Sequence, residues 1–206
     1  MATDAEERLA AVLAAGEVEE VRRLYDEWAP TYDGEEVAAL LGHAGPERVA
    51  ARVAELVDPR TDVLDAGCGT GLVGVALAAR GFGSLDGLDL SPGMIRRARR
   101  RRVYHDLGPA DLGRGVPGAR AKFGVVTCVG ALVPGHLGPG ALTGFARAAV
   151  AGGYVVAAIP EGTWNDAGYD AQVAGLAEQG FASPVAGADG PDPDGPGRLL
   201  VLQVPR

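Results

Sequence analysis

The stretch DAGCGTG, residues 65–71, places three glycines at alternate positions behind an aspartate. Because glycine has no side chain, a ligand can approach the backbone atoms of such a segment directly. The apolar run TDVLDA (61–66) before it predicts a buried strand, and GLVGVALAARG (71–81) after it predicts a helix. The helix start adds unpaired N–H groups, and a strand-to-helix loop is where an open α/β sheet binds its ligand. The sequence therefore predicts a ligand site at this loop.

The aspartate decides which ligand suits the loop. The segment GTGLVG (69–74) satisfies G-x-G-x-x-G, which alone is weak evidence for a dinucleotide. Asp65 lies two residues before Gly67, where its carboxylate would repel a pyrophosphate. S-adenosylmethionine carries an ammonium and a sulfonium and no phosphate, so Asp65 would stabilise its ammonium directly or through water. We therefore predict S-adenosylmethionine as the cofactor and S-adenosylhomocysteine as the product, with Gly67, Gly69 and Gly71 shaping the loop.

A second acidic residue follows the next predicted strand, SLDGLDL (84–90). Asp89 lies eighteen residues after the last glycine of the loop, and an acidic residue near that distance hydrogen-bonds a ribose diol. It would serve a nicotinamide dinucleotide equally well, so it indicates a nucleoside without choosing one. Ser91 and Pro92 are typical of an N-cap and first helical position. They place Met94 on the first turn, where its side chain would cover an adenine face.

Short apolar runs alternate with helical patterns from residue 61 onward, which is typical of a parallel sheet covered on both faces. Further strands are predicted at 123–132 and 154–160, and further helices at 91–103, 139–153 and 169–180. The last two strands, 181–186 and 198–204, flank the turn-rich segment 187–197 and should be antiparallel. Before this core, two helices joined near Gly16 and a third from Pro46 are predicted. We expect one domain, 1–206, with a helical lid at 1–57 and a cofactor-binding core at 58–206.

Composition and charge limit the classes of partner that we expect the protein to bind. The chain has 206 residues and a formal net charge of −8, whereas nucleic-acid binders are usually basic. The arginine run RRARRRR (96–102) suits the C-terminal end of a helix. Two cysteines sixty positions apart form neither a disulfide framework nor a zinc pattern, and no apolar run approaches the ~20 residues of a membrane span. With no signal-peptide pattern either, we expect a cytoplasmic monomer or homodimer that binds a small molecule, without metal, membrane or nucleic acid.

Several motifs match a known family in order. The segments VLDAGCGTG, LDGLDLSPGM and ADLGRGVP, followed by the strand at 123–129, resemble class I S-adenosylmethionine-dependent methyltransferases. The segments YDEWAPTYD (25–33), CGTGLVGVALAARGF (68–82) and CVGALVPGHLGPGAL (128–142) resemble the methyltransferase-like proteins of the Williams–Beuren syndrome region. The resemblance extends over roughly residues 20 to 180.

The resemblance implies an α/β, Rossmann-like three-layer sandwich. Its seven-stranded, mostly parallel sheet would carry one antiparallel strand. It also implies that Asp111 and the Leu112 backbone contact the adenine, and that 130–136 faces the sulfonium and methyl group. The predicted cofactor-binding residues are Tyr25, Tyr32, Asp65, Gly67, Cys68, Gly69, Gly71, Asp89, Leu90, Met94, Asp111, Leu112, Val129 and Gly130.

A catalytic base and an acceptor pocket complete the predicted site. His136 follows the fourth predicted strand and has a reference pKa suited to a general base, although a histidine held by backbone is an alternative. The aromatic residues of 25–33 would close over the cofactor and exclude water, or else pack as ordinary helix residues. The predicted acceptor-binding residues are Trp28, Leu132, Trp164 and Tyr169.

The expected reaction is methyl transfer to oxygen or nitrogen of a small molecule. Methyl transfer from a sulfonium mainly requires alignment of donor and acceptor. An enzyme of the same fold could instead direct cyclisation or elimination, which would release methylthioadenosine. A nicotinamide-dependent oxidoreductase is disfavoured by Asp65 and by the lack of a Tyr-x-x-x-Lys pair, since Lys122 is the only lysine. A non-catalytic domain that kept the fold is disfavoured by the intact loop and acidic residues.

Overall fold

The computed structural model describes residues 3–35, 37, 40, 44–118, 120–166, 168–186, 190–191 and 197–206. The turn predicted at 187–197 therefore lies largely outside the described residues. The helices are α1 (Asp4–Ala14), α2 (Val18–Trp28), α3 (Ala44–Leu56), α4 (Leu72–Ala78), α5 (Pro92–Arg101), α6 (Ala141–Ala148), α7 (Glu161–Asp166) and α8 (Tyr169–Glu178), with a 3₁₀ turn at Leu112–Arg114. The strands are β1 (Val63–Ala66), β2 (Leu85–Asp89), β3 (Asp106–Pro109), β4 (Phe123–Val129), β5 (Ala149–Pro160), β6 (Ser183–Pro184), β7 (Gly190–Pro191) and β8 (Gly197–Gln203).

One mixed sheet organises the described chain. Seven strands run in the order β3-β2-β1-β4-β5-β8-β6, and the two-residue β7 pairs with β8 outside this path. Strands β1 to β5 pair in parallel, whereas β8 runs antiparallel to β5, with Tyr154 opposite Gln203 and Pro160 opposite Gly197. The predicted Rossmann-like sheet with one antiparallel strand is confirmed. The amino end of β8 consequently meets the carboxyl end of β5 at one edge of the sheet.

Alternate strand residues pack on opposite faces of this sheet. Leu64 and Val126 lie in a buried cluster with Phe145 of α6 and Leu176 of α8. Their neighbours Val63 and Val125 lie in a second cluster with Val53 of α3 and Leu77 of α4. Both faces are therefore covered, which explains why the strands are apolar along their whole length. The result is the expected three layers.

The boundary between α6 and β5 differs from the prediction. The helix predicted to Gly153 ends at Ala148, and β5 begins at Ala149 rather than at Tyr154. Ala149 is extended and pairs with Phe123, while Gly152 has a positive φ of 78°. A glycine in this conformation allows an irregularity in the strand. The sheet therefore extends through residues 149–153, for which the periodicity had predicted a helix. Strand β4 ends at Val129, three residues before the predicted end, because Gly130 has a φ of 75°.

Candidate functional site

A cavity of about 690 Å³ opens at the edge where the parallel strands β1, β2, β4 and β5 end. Its lining comes from the glycine loop, the residues after β2 and β4, the segment around Asp111, and β8. Helices α1 and α2 add Leu9, Leu13, Val21 and Tyr25. This is the position where open α/β sheets bind ligands, and the N-terminal helices form its outer wall.

The glycine loop has the conformation its sequence predicts. Gly67, Gly69 and Gly71 have φ values of 75°, 53° and 91°, which side chains rarely adopt. A Cβ on Gly67 would also lie 2.7 Å from the Cβ of Ala131. Gly67, Cys68 and Gly69 line the cavity, whereas Gly71 is the N-cap of α4 and does not. Gly71 thus starts the helix, and its part in binding the cofactor stays a prediction.

Asp89 links the loop to the next helix. One carboxylate oxygen accepts a hydrogen bond from the Gly69 N–H and the other from the Ser91 N–H, both at 2.8 Å. Burial raises the pKa of Asp89, and these two N–H groups oppose that rise. Ser91 caps α5 by accepting from the Met94 N–H at 3.0 Å, as predicted, and Asp89, Leu90 and Met94 all line the cavity. Each oxygen of Asp89 retains a lone pair for a ligand hydroxyl.

Asp65 lies near the end of β1, just before the glycine loop. Its side chain is buried, with the residue 1% exposed, and it does not line the cavity. One oxygen accepts a hydrogen bond of 2.6 Å from the Tyr104 hydroxyl, and the other accepts one of 3.3 Å from Thr127. Burial raises its pKa to about 6, against the lowering effect of these bonds. Asp65 therefore supports the loop from below, and its stabilisation of a ligand ammonium, directly or through water, stays a prediction.

Tyr104 was not singled out in the sequence. Its hydroxyl donates to Asp65 and accepts a hydrogen bond of 3.2 Å from the Gly74 N–H in α4. A Cβ on Gly74 would overlap the Tyr104 ring. An aromatic residue among arginines gives no local signal that its partner is a strand residue 39 positions earlier.

The segment after β3 forms one end of the cavity. Asp111 caps the 3₁₀ turn by accepting from the Gly113 N–H at 3.0 Å, and it pairs with Arg114 at 3.1 Å. Asp111 and Leu112 both line the cavity. The structure thus brings them to the same cavity as Asp89, while their contact with adenine stays a prediction.

His136 lies on the cavity wall beside Tyr25. Its Nδ1 is 3.1 Å from the carbonyl oxygen of Pro134, and its Nε2 is 2.8 Å from the Tyr25 hydroxyl. A carbonyl oxygen can only accept, so Nδ1 of the neutral ring carries the proton and Nε2 accepts from Tyr25. Burial lowers the pKa of His136 and raises that of Tyr25, which favours the neutral pair. Val129 and Gly130 line the cavity nearby.

Two aspartates attach the N-terminal helices to the core. Asp26 accepts hydrogen bonds of 2.6 Å from both the Ser91 hydroxyl and the Gly93 N–H. Asp33 accepts from Thr70 at 2.5 Å and pairs with Arg97 at 3.0 Å and Arg101 at 2.8 Å. Two arginines of the basic run thus bind the turn that follows α2, and Tyr25 and Tyr32 lie on the cavity wall.

The four predicted acceptor-binding residues do not line the cavity. Trp28 packs against Ala5, Val12 and Val37 among the N-terminal helices. The other three, Leu132, Trp164 and Tyr169, lie in the buried core on the α6 and α8 side of the sheet. Their apolar side chains gain more from the core than from a cavity wall, so these assignments are corrected. The cavity is lined in addition by residues that the sequence did not single out: Leu9, Leu13, Val21, Val133, Thr163 and Arg198.

The cavity suits a cationic nucleoside better than a dinucleotide. Among the described lining residues, the carboxylates Asp89 and Asp111 lie at the end formed by the glycine loop, and the arginines are Arg48 of α3 and Arg198 of β8. These carboxylates would repel a pyrophosphate, whereas they would attract an ammonium and accept hydrogen bonds from ribose hydroxyls. Among the described residues there is also no His, Cys, Asp and Glu cluster able to hold a metal.

Residues 63–153 match the family model described as a methyltransferase domain. This segment is less than half of the chain and contains the glycine loop, β2 and β4, so this part of the protein is similar to methyltransferase domains. Methyltransferase-like protein 27 of Homo sapiens is 40% identical over 116 residues, which are 55% of this chain and 47% of that protein. The 18S rRNA (guanine(1575)-N(7))-methyltransferase of Saccharomyces cerevisiae is 33% identical over 87 residues, 41% of this chain and 32% of that enzyme. The chain thus spans less than half the length of either relative.

A solved structure supports the fold. The TehB-like SAM-dependent methyltransferase from Corynebacterium glutamicum has a TM-score of 0.65 and 20% identity, over 88% of this chain and 98% of that one. At this identity the likeness concerns the fold alone. Within the described residues, no helix is long and apolar enough to cross a membrane.

Proposed function

We propose that this protein transfers a methyl group from S-adenosylmethionine to an oxygen or nitrogen of a small-molecule acceptor. One observation carries the proposal: a single cavity joins the glycine loop and Asp89 at one end to the His136–Tyr25 pair and an apolar wall beyond it. Such an arrangement places a cofactor site and a proton acceptor within reach of one bound acceptor molecule.

The chain's own residues divide the binding of the cofactor. Asp89 would accept hydrogen bonds from the ribose hydroxyls with its remaining lone pairs, and Gly67 and Gly69 would present backbone atoms to the amino-acid portion. Asp111 and Leu112 would contact the adenine, and Met94 would cover its face. When bound, the cofactor supplies an already activated methyl group, so the protein needs mainly to orient it.

His136 and Tyr25 would remove a proton from the acceptor. The Tyr25 oxygen can accept a hydrogen bond from an acceptor hydroxyl or amine while its own proton is held by Nε2 of His136. A proton would then move from the acceptor to the Tyr25 oxygen as the Tyr25 proton moves to Nε2. This role makes Tyr25 part of the base as well as of the cofactor pocket.

A covered cavity favours a small acceptor. We propose that residues 1–57 act as a lid over the core at 58–206, because α1 and α2 form the outer wall and Asp26 and Asp33 hold them to α5. Leu9, Leu13 and Val21 make this wall apolar. Since one relative is an rRNA methyltransferase, RNA is retained as an outcome of the test below.

Calorimetric titration tests the cofactor. We expect S-adenosylmethionine and S-adenosylhomocysteine to bind the protein, NAD not to bind, and Asp89→Ala to weaken both ligands about tenfold or more. Asp106→Ala is the matched control, because the Asp106 carboxylate accepts only from the neighbouring Leu107 N–H on the exposed edge strand β3. Tight NAD binding, or equal effects of the two variants, would contradict the proposal.

Product analysis tests the reaction. With S-adenosylmethionine and a library of small hydroxyl and amine compounds, we expect S-adenosylhomocysteine to accumulate. Methylthioadenosine instead would indicate cyclisation or elimination. Turnover with RNA and with none of the small molecules would overturn the small-molecule acceptor.

A further inference from the structure

Charge is distributed unevenly along the cavity. Its described carboxylates, Asp89 and Asp111, both lie beside β2 and β3. At the opposite end, Arg198 lines the cavity at the start of β8, and Arg48 of α3 is the other described arginine of the lining. Four strand spacings separate β2 from β8, about 19 Å. One acidic end and one basic end therefore face the same space, in a protein whose net charge is −8.

The guanidinium of Arg198 packs on the ring of Trp164, which a second aromatic ring supports from behind. It lies over the Trp164 ring, 4.4 Å from the centroid, and Trp164 stacks on Tyr169 at 5.5 Å. Trp164 is fixed in turn by a hydrogen bond of 3.0 Å from its indole nitrogen to Asp170. The two buried rings that the sequence placed on the acceptor wall thus support the residue that does line it.

Arg198 has hydrogen-bonding capacity to offer a ligand. Its Nε is buried and donates to no acceptor among the described residues. The carboxylate that follows β5, Glu161, does not line the cavity, and its buried Oε2 accepts no hydrogen bond from the described residues. An unpaired buried N–H of a charged group costs stability unless a ligand provides the acceptor.

We propose that Arg198 binds the carboxylate of the methyl acceptor, which is an apolar acid. The carboxylate would pair with the guanidinium at the amino end of β8, and the apolar body would contact the aliphatic wall formed by Leu9, Leu13 and Val133. Leu13 is 41% exposed at this wall, an unfavourable position that an apolar ligand would cover. This inference rests on the proposed methyltransferase function and specifies its acceptor class.

Matched pairs of acids and amides test the inference. The protein saturated with S-adenosylhomocysteine is titrated with 3-phenylpropionate and octanoate, and with 3-phenylpropionamide and octanamide. We expect each acid to bind about tenfold more tightly than its amide, because a charge-assisted bond to arginine is lost in the amide. Arg198→Met should abolish this preference, and Arg198→Lys should keep part of it.

Two controls distinguish a failure of this inference from a misfolded variant and from a failure of the proposed function. Arg147 lies over the Phe181 ring at 5.0 Å in a similar arrangement outside the cavity lining, so Arg147→Met should keep the preference for acids. Arg198→Met should bind S-adenosylhomocysteine as the unchanged protein does, which shows that it is folded. Equal binding of acids and amides, no binding of any acid at millimolar concentration, or an unchanged preference in Arg198→Met would overturn the inference. Failure of S-adenosylhomocysteine to bind the unchanged protein would instead overturn the proposed function.

Discussion

Tyr25 of the N-terminal helix α2 donates a hydrogen bond of 2.8 Å to Nε2 of His136, 111 residues later in the chain. The Pro134 carbonyl fixes the opposite nitrogen as the protonated one. The lid and the loop after β4 are therefore joined at the residues proposed to accept a proton. Each end of the pair depends on the other for its protonation state.

The titration of His136 reports this pair directly. Burial lowers its pKa below the ordinary 6.5, so the ring stays neutral to a more acidic pH than a free histidine. Tyr25→Phe removes a donor that binds only the neutral ring, so the pKa of His136 should rise. The measurement is an NMR titration of the imidazole resonances, assigned with His136→Asn among three histidines. Tyr32→Phe, which alters a ring 6.1 Å from Tyr25, is the control, and equal midpoints for the two variants would contradict the pairing.

The attachment of the lid through Asp33 is also testable. Asp33→Asn weakens its pairs with Arg97 and Arg101, so amide exchange in α2 should accelerate by about tenfold and become less sensitive to salt. Affinity for S-adenosylhomocysteine should fall in parallel. Hydrogen exchange measured by mass spectrometry checks the first result. Glu19→Gln, which breaks an exposed pair with Arg22, should leave both quantities near their original values.

Asp65 makes stability depend on pH in a definite direction. Its pKa is about 6 in the folded protein against 3.8 ordinarily, so between these values the folded state binds more protons than the unfolded state. The free energy of unfolding contributed by this residue therefore falls as pH rises from about 4 to about 6, by about 3 kcal/mol in all. Asp65→Asn should remove that part of the pH dependence. Urea unfolding of both proteins at pH 5 and pH 7.5 would show it as a smaller loss in the variant, and identical losses would refute it.

Two helical glycines should respond oppositely to alanine. A Cβ at Gly74 in α4 overlaps the Tyr104 ring and displaces the hydroxyl that holds Asp65, so Gly74→Ala should cost about 1–3 kcal/mol. Gly175 in α8 has only a side-chain atom of Gln179 near the added Cβ, at 3.7 Å. Gly175→Ala should therefore stabilise the protein by about 0.5–1 kcal/mol through helix propensity. Thermal unfolding distinguishes the two, and destabilisation of similar size in both would mean that packing against Tyr104 does not govern Gly74.

Local chemistry accounts for what could be predicted from the sequence. The glycine conformations of the loop, the Ser91 cap of α5 and the strand–helix alternation all depend on residues close together in the chain. Asp89 was placed correctly at the cavity because a residue that ends a parallel strand lies at the ligand edge whatever the rest of the chain does.

The side-chain partners were decided by tertiary packing. Asp65 lies one residue before the end of β1, whereas Asp89 is the last residue of β2, and the side chain of Asp65 is buried against Tyr104 and Thr127. Trp164 is of a residue type common in binding sites, but its side chain is buried. Its ring packs against the guanidinium of Arg198, which lies 34 residues later in β8. Which face of an element a side chain occupies, and which distant group it meets, depends on how the layers pack. The sequence by itself therefore determined the class of fold and the strand ends where the cavity lies, while only the assembled sheet and N-terminal helices determined which side chains line that cavity.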